Sequence, residues 1–171
     1  MTLSVTVVSI LGALSATLIL YNPDNIGINP GNIDINFNYP PMNINFTFPF
    51  NITNAGFFDL ENLELKIDLA MNYTHVNYPI PGVNTTKVIP IYSNSTNFGT
   101  IPKGTTGNFN FTGLWDDFSF PGISNFTTDI DWFRGPPAIL FYANFTVSLD
   151  YSIGLHSLTI GFVDIYVGGF P

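Results

Sequence analysis

Asn43-Ile-Asn-Phe-Thr-Phe-Pro-Phe-Asn-Ile-Thr53 reads as a half-buried β-strand. Ile44, Phe46, Phe48, Phe50 and Ile52 alternate with Asn43, Asn45, Thr47, Pro49, Asn51 and Thr53. A period of two puts the large apolar side chains on one face of a pleat and the short polar ones on the other. Pro49 lacks the N–H that a ladder needs, so this strand is expected at a sheet edge or beside a bulge.

The same period runs outward from this stretch. Ile35 and Phe37 alternate with Asp34, Asn36 and Asn38, and Leu63, Leu65, Ile67 and Leu69 with Glu64, Lys66 and Asp68. Phe109 and Phe111 alternate with Asn108, Asn110 and Thr112, and Ala143, Phe145, Val147 and Leu149 share one side of a strand over 138–150. In 158–167, Leu158, Ile160 and Phe162 are expected on one face and Val163, Ile165 and Val167 on the other, with a bulge at Gly161. Thr85 to Tyr92 reads as a short strand containing Pro90. The stretches 75–84 and 93–107 read as loops, the second turning at Ile101-Pro102-Lys103-Gly104. The stretch 116–137 reads as irregular. About eight strands with turns between them predict an all-β, immunoglobulin-like β-sandwich over 33–171.

Ahead of this domain, Thr2 to Leu20, TLSVTVVSILGALSATLIL, holds no charge and no proline. So much contiguous apolar surface needs a partner. The segment just reaches the roughly 20 residues of a membrane-spanning helix, yet no Lys or Arg precedes Lys66 to orient it or to make a signal-peptide n-region. Thr2, Val5, Thr6, Val7, Val8 and Ile10 are β-branched and favour an extended strand in the first half, while the second half is open to strand or helix. Extended, 19 residues reach roughly 60 Å, enough to cross a neighbouring domain. Such a strand can complete another chain's sheet through main-chain hydrogen bonds, and head-to-tail contacts that do not close make filaments. The expected donor residues are Leu3, Val5, Val7, Val8, Ile10, Leu11 and Leu14. Tyr21 to Asn32, rich in Asn-Pro steps and Gly, reads as a tether to the domain.

Composition narrows the function. Only 9% of residues are charged, and four Lys plus Arg against a net charge of −8 exclude a basic nucleic-acid surface. Without cysteine there is no disulfide framework and no thiolate metal site. The compartment is read instead from the sequon N-x-T, which occurs at Asn45, Asn51, Asn72, Asn84, Asn94, Asn110, Asn125 and Asn144. For 20 Asn and 17 Thr in 171 residues, the product of the counts over the length gives about two by chance. N-linked glycans on an extracellular protein are therefore expected. They would take over the solubilising role that charge plays on most surfaces.

The stretch FTFPFNITNAGFFDLENLELKIDLAMNY with the later FGTIPKGTTGNFNF, spanning Phe46 to Phe111, resembles the water-stress sandwich of late-embryogenesis-abundant proteins, with Asn54-Ala55 where that family has Asn-Pro. That resemblance implies an immunoglobulin-like sandwich. The apolar start, the Asn/Pro tether and the sequons of a Cys-free, charge-poor chain also resemble the thread filaments of thermoacidophilic archaea. This second resemblance implies glycosylated sandwiches joined head-to-tail by N-terminal donor strands, on the cell surface, with other copies of the chain as partners and no stable membrane insertion once assembled.

Catalysis is not expected. His75 and His156 lie apart, with no metal-ligand spacing. Asp116, Asp117, Asp129 and Asp131 are the one carboxylate cluster that could take Ca²⁺, and a solvated loop is the plainer reading. Trp115, Trp132 and Phe133 suggest a sugar-stacking platform, with core or edge packing the plainer reading, and Arg134 a partner for Trp132 or Asp131. The expected function is thus a structural filament subunit with no cofactor and no metal. The alternatives are a membrane-anchored surface binding module, such as a lectin or envelope adaptor, and a pilin-like subunit with a helical N-terminal core.

Overall fold

The computed structural model describes residues 7, 10, 11, 13, 14, 17, 18, 21–28, 34–38, 43–76, 84–116, 138–151 and 154–170. Among these the domain is all-β. A 3-10 turn at Pro23–Asn25 leads into β1 (Ile26–Ile28), followed by β2 (Asp34–Asn38), β3 (Asn43–Thr53), β4 (Leu60–Val76), β5 (Asn84–Ile101), β6 (Thr106–Asp116), β7 (Ile139–Tyr151) and β8 (His156–Phe170). They form two antiparallel sheets. In one, β3 pairs with β6 along its whole length on one flank, and with β2 and then β1 on the other. The second has the order β5-β4-β7-β8.

The alternation that defines the strands also builds the core. Phe46, Phe48, Phe50 and Ile52 of β3 are buried, as are Leu63, Leu65, Ile67, Leu69, Met71 and Tyr73 of β4 and Phe141, Ala143, Phe145, Val147 and Leu149 of β7. Phe48 stacks on Phe145 across the sheets with ring centroids 4.5 Å apart, and Phe46 meets the edge of Tyr92 at 4.7 Å. Edge-to-face and offset pairs of this kind add to the burial of each ring. The sheets pack so closely at Gly113 of β6 that a Cβ there would run into the rings of Phe46 and Tyr92.

Several elements differ from their expected form. β3 is a central strand, not an edge. Its partner β2 ends opposite Thr47 and β1 begins opposite Phe50, so Pro49 falls in the interval between them, where no ladder bond is lost on that flank. Ile26–Ile28, inside the expected tether, is paired with β3. The expected loop over 93–107 is strand as far as Ile101. Its Ser, Asn and Thr side chains at 93–97 are exposed because β5 is the edge of its sheet, and pairing with β4 overrides their weak strand propensity. A bulge at Phe98, where Leu63 faces Gly99 and Glu64 faces Asn97, is accommodated by Gly99 at a φ of 83°.

In β8 the bulge lies at Val163 and Asp164, not Gly161. Phe145 faces Phe162 and Ala143 faces Ile165, which leaves one extra residue on β8, and Asp164 takes a φ of 55°. The consequence reverses the expected faces. Ile165 and Val167 stay on the inner side with Leu158, Ile160 and Phe162, while Val163 alone is turned outward.

Asn54 ties the turn after β3 to the β5–β6 hairpin. Its side chain is fully buried, with Nδ2 donating to the carbonyls of Phe58 (2.9 Å) and Ile101 (3.0 Å) and Oδ1 accepting from the Gly56 N–H (3.0 Å). Its backbone N–H donates to the Thr105 carbonyl and its carbonyl accepts from Gly104, at 2.9 and 2.8 Å. Every polar atom of this buried residue is paired, as a buried amide requires.

Candidate functional site

The N-terminal segment is the first candidate. Val7, Ile10, Leu11, Ala13, Leu14, Thr17, Leu18 and Tyr21 are helical, where an extended strand was expected for the first half. A helix satisfies the segment's backbone groups internally. Asn25 then closes it, its Nδ2 donating to the Leu18 carbonyl at 3.0 Å. The helix leaves much of its apolar surface open: Leu11 is half-buried, and Val7, Ile10 and Leu14 remain 49%, 56% and 46% exposed. The donor residues Leu3, Val5 and Val8 lie outside the described residues. Among the described residues, no helix is long and apolar enough to cross a membrane.

A second feature lies at the far edge of the other sheet. Ring contacts of Phe46 with Tyr92, Phe50 with Phe98 and Phe48 with Phe145 place β3 over β5 and β7. The inner side chains Leu158, Ile160, Phe162 and Ile165 of β8 are only half-buried. Between the sheets a small apolar crevice is lined by Phe46, Phe48, Ile67, Leu69, Ala143, Phe145 and Val167. The sequence places Leu158, Ile160 and Phe162 of the β8 row on one face, and Ile165 joins them only through the bulge at Val163 and Asp164. The positive-φ Asp that permits it carries no signal beyond its short polar side chain.

The sequons follow the strands. Asn45, Asn94, Asn110 and Asn144 are exposed, and Asn51 and Asn72 are half-buried. The residue between Asn and Thr is a buried core side chain at Phe46, Ile52, Tyr73, Phe111 and Phe145. Period-2 geometry therefore sends the anchor inward and the Asn and Thr outward. Asn84 sits at the start of β5, with its side chain outside description, and Asn125 is outside the described residues.

The remaining candidates do not converge. His156 stacks on Tyr151 with ring centroids 5.4 Å apart, and its Nε2 is buried without a hydrogen-bond partner. His75 is near the end of β4 and Trp115 and Asp116 are at the end of β6, with side chains outside description; Asp117, Asp129, Asp131, Trp132, Phe133 and Arg134 lie outside the described residues. Among the described residues, no three His, Asp or Glu side chains are grouped to hold a metal.

Two carboxylates are held below their usual range. Asp150 accepts from Ser157 (2.7 Å) and Asn62 (2.9 Å), which stabilise its ionised form. At Asp68 burial works upward, and hydrogen bonds from Lys66 and Ser93 with the Lys66 charge outweigh it. A depressed folded-state value adds stability that is complete above the unfolded carboxylate pKa and is lost as pH falls through the folded one. The melting temperature is therefore expected to hold level from pH 7 down to about 5 and to fall below about pH 4. Ser157→Ala should move the Asp150 titration, followed by NMR, upward toward the ordinary Asp value. An unmoved titration would count against these hydrogen bonds as the cause.

No family model matches the chain, and no curated protein sequence matches it. Among solved structures, it is similar to the crystal structure of Spo0M, a sporulation control protein from Bacillus subtilis, at 16% identity and a TM-score of 0.33. The match covers 81% of this chain and 49% of that one, so the chain spans about half its length. A likeness at that score bears on neither fold nor activity.

Proposed function

We propose that this chain is a structural subunit of an extracellular, N-glycosylated filament, in which the apolar N-terminal segment of one copy completes an immunoglobulin-like sandwich in the next. The observation that carries this reading is the apolar N-terminal segment, whose Val7, Ile10 and Leu14 are left about half-exposed. Complementary to it is the half-buried row Leu158, Ile160, Phe162 and Ile165, spaced to receive alternate side chains of an extended strand. Burial contributes about 1.5 to 3 kcal/mol per large apolar side chain, so several such residues would make a stable joint. The outward sequons support an exterior coated by sugar.

Insertion as a strand requires the helix to unwind. A short helix is marginal in water, so the exchange of helix for ladder hydrogen bonds costs little. A second reading, a membrane-anchored surface module, is favoured by the helical state itself, which is the form that a bilayer admits.

Alkaline carbonate extraction of native membranes, followed by electron microscopy, separates the two. The filament reading predicts that the chain leaves the lipid fraction as polymers and that removal of residues 2–20 leaves soluble monomers. Full-length chain retained in lipid as single copies would support the anchor and overturn the filament.

A further inference from the structure

Resting on the reading that the chain is exported and glycosylated, we infer that the glycan on Asn144 stacks on a tyrosine pair of the same sheet face, Tyr142 and Tyr166. Tyr142, Asn144 and Thr146 alternate along β7 with the buried Phe141, Ala143, Phe145 and Val147, so all three point outward. Tyr142 stands about 7 Å along the strand from Asn144. Its register partner on β8 is Tyr166, with ring centroids 5.9 Å apart at 64°. On the other side its partner is Ala70 of β4, a small residue, and Tyr142 itself is half-buried. Tyr166 is 54% exposed.

The amide of Asn144 is also held in place. Its Oδ1 accepts the Asp164 N–H at 2.8 Å, at the β8 bulge, which leaves Nδ2, the atom that takes the sugar, as the free end. A pyranose presents C–H bonds on one face and hydroxyls at its rim, and the C–H face suits the negative face of an aromatic ring. Among the sequons with described side chains this setting is peculiar to Asn144. Residues 43, 49, 70 and 108, which stand two before Asn45, Asn51, Asn72 and Asn110, are Asn, Pro, Ala and Asn. Tyr92, two before Asn94, is turned against the rings of Phe46 and Phe111. The sugar would thus cover aromatic surface that the sheet leaves open.

The test is a double-mutant cycle on the full chain from a glycosylating host, with Tyr142→Thr, Thr146→Ala and both together. Thr146→Ala removes the sequon but keeps the Asn144 amide and its bond to Asp164. Site-resolved mass spectrometry should find sugar on Asn144. Urea unfolding should show the two changes coupled by roughly three- to tenfold in the unfolding equilibrium constant, and the coupling should vanish in chain from a host without N-glycosylation. Sugar on other sequons with Asn144 bare, or an occupied Asn144 with no coupling, overturns this inference alone. No sugar on any sequon of the native protein overturns the glycosylated reading and this inference with it.

Discussion

Asn54→Leu should lower the stability of the domain by about 3 to 4 kcal/mol, a large share of the roughly 5 to 15 kcal/mol that holds a typical domain folded. Leucine keeps the branched heavy-atom skeleton of asparagine with bulkier methyl ends, so the loss comes from hydrogen bonds and not from a cavity. It strips the carbonyls of Phe58 and Ile101 of their donor and the Gly56 N–H of its acceptor. The Ile101 carbonyl is then unpaired in the interior, at about 1 to 3 kcal/mol, and the half-buried Phe58 and Gly56 groups add smaller losses. Asn54→Asp is the sharper version. It retains the acceptor for Gly56, removes the donor to both carbonyls and places a carboxylate where no cation is recorded among its partners, so it should be at least as damaging above pH 5. Urea unfolding of both variants checks the account, and a loss below about 1 kcal/mol for either would show that the turn is not held by this residue.

Phe48→Ala is expected to cost about 3 to 5 kcal/mol. Phe48 is 1% exposed, stacks on Phe145 of the opposite sheet and lies 5.9 Å from Phe50 between ring centroids. Leu114→Ala, a large apolar truncation on the outer face where Leu114 is 65% exposed, should change stability by about 0.5 kcal/mol or less. Equal losses in the two variants would mean that the inter-sheet contact of Phe48 contributes nothing beyond its local strand.

The strands that face solvent on one side and the core on the other were legible because burial enforces a strict period. Phe46 to Ile52, Leu63 to Leu69 and Ala143 to Leu149 all lie as their alternation predicts. The misread parts share a physical cause. The 93–101 half of β5 is an edge with polar exposed side chains, so composition imitates a loop while a neighbour's backbone supplies the order. The β8 faces turned on an extra residue at Val163 and Asp164, which reverses the side chains from Ile165 up to a second register shift at Val167. Pro49 pointed to an edge because the sequence does not reveal that β1 and β2 share a flank with a gap between them. The outward placement of the sequons was legible from their Phe centres. The Tyr142 and Tyr166 pair was not, since it depends on the register of two strands.

The N-terminal segment is where local preference and assembly part company. Its β-branched residues suggest a strand, yet Val7 and Ile10 are helical in the single chain, where a helix satisfies their backbone groups internally. Cysteine cross-linking of native assemblies tests its destination most directly, because the chain has no cysteine of its own. Chains carrying Val5→Cys, Val7→Cys or Val8→Cys are mixed with chains carrying Ile160→Cys and then oxidised. Covalent dimers between the two kinds of chain, formed only in assembled material and with at least one leader position, are the predicted result. Chains that stay unlinked at all three positions while the assembly is intact, or a leader that can be linked only within its own copy, would contradict it.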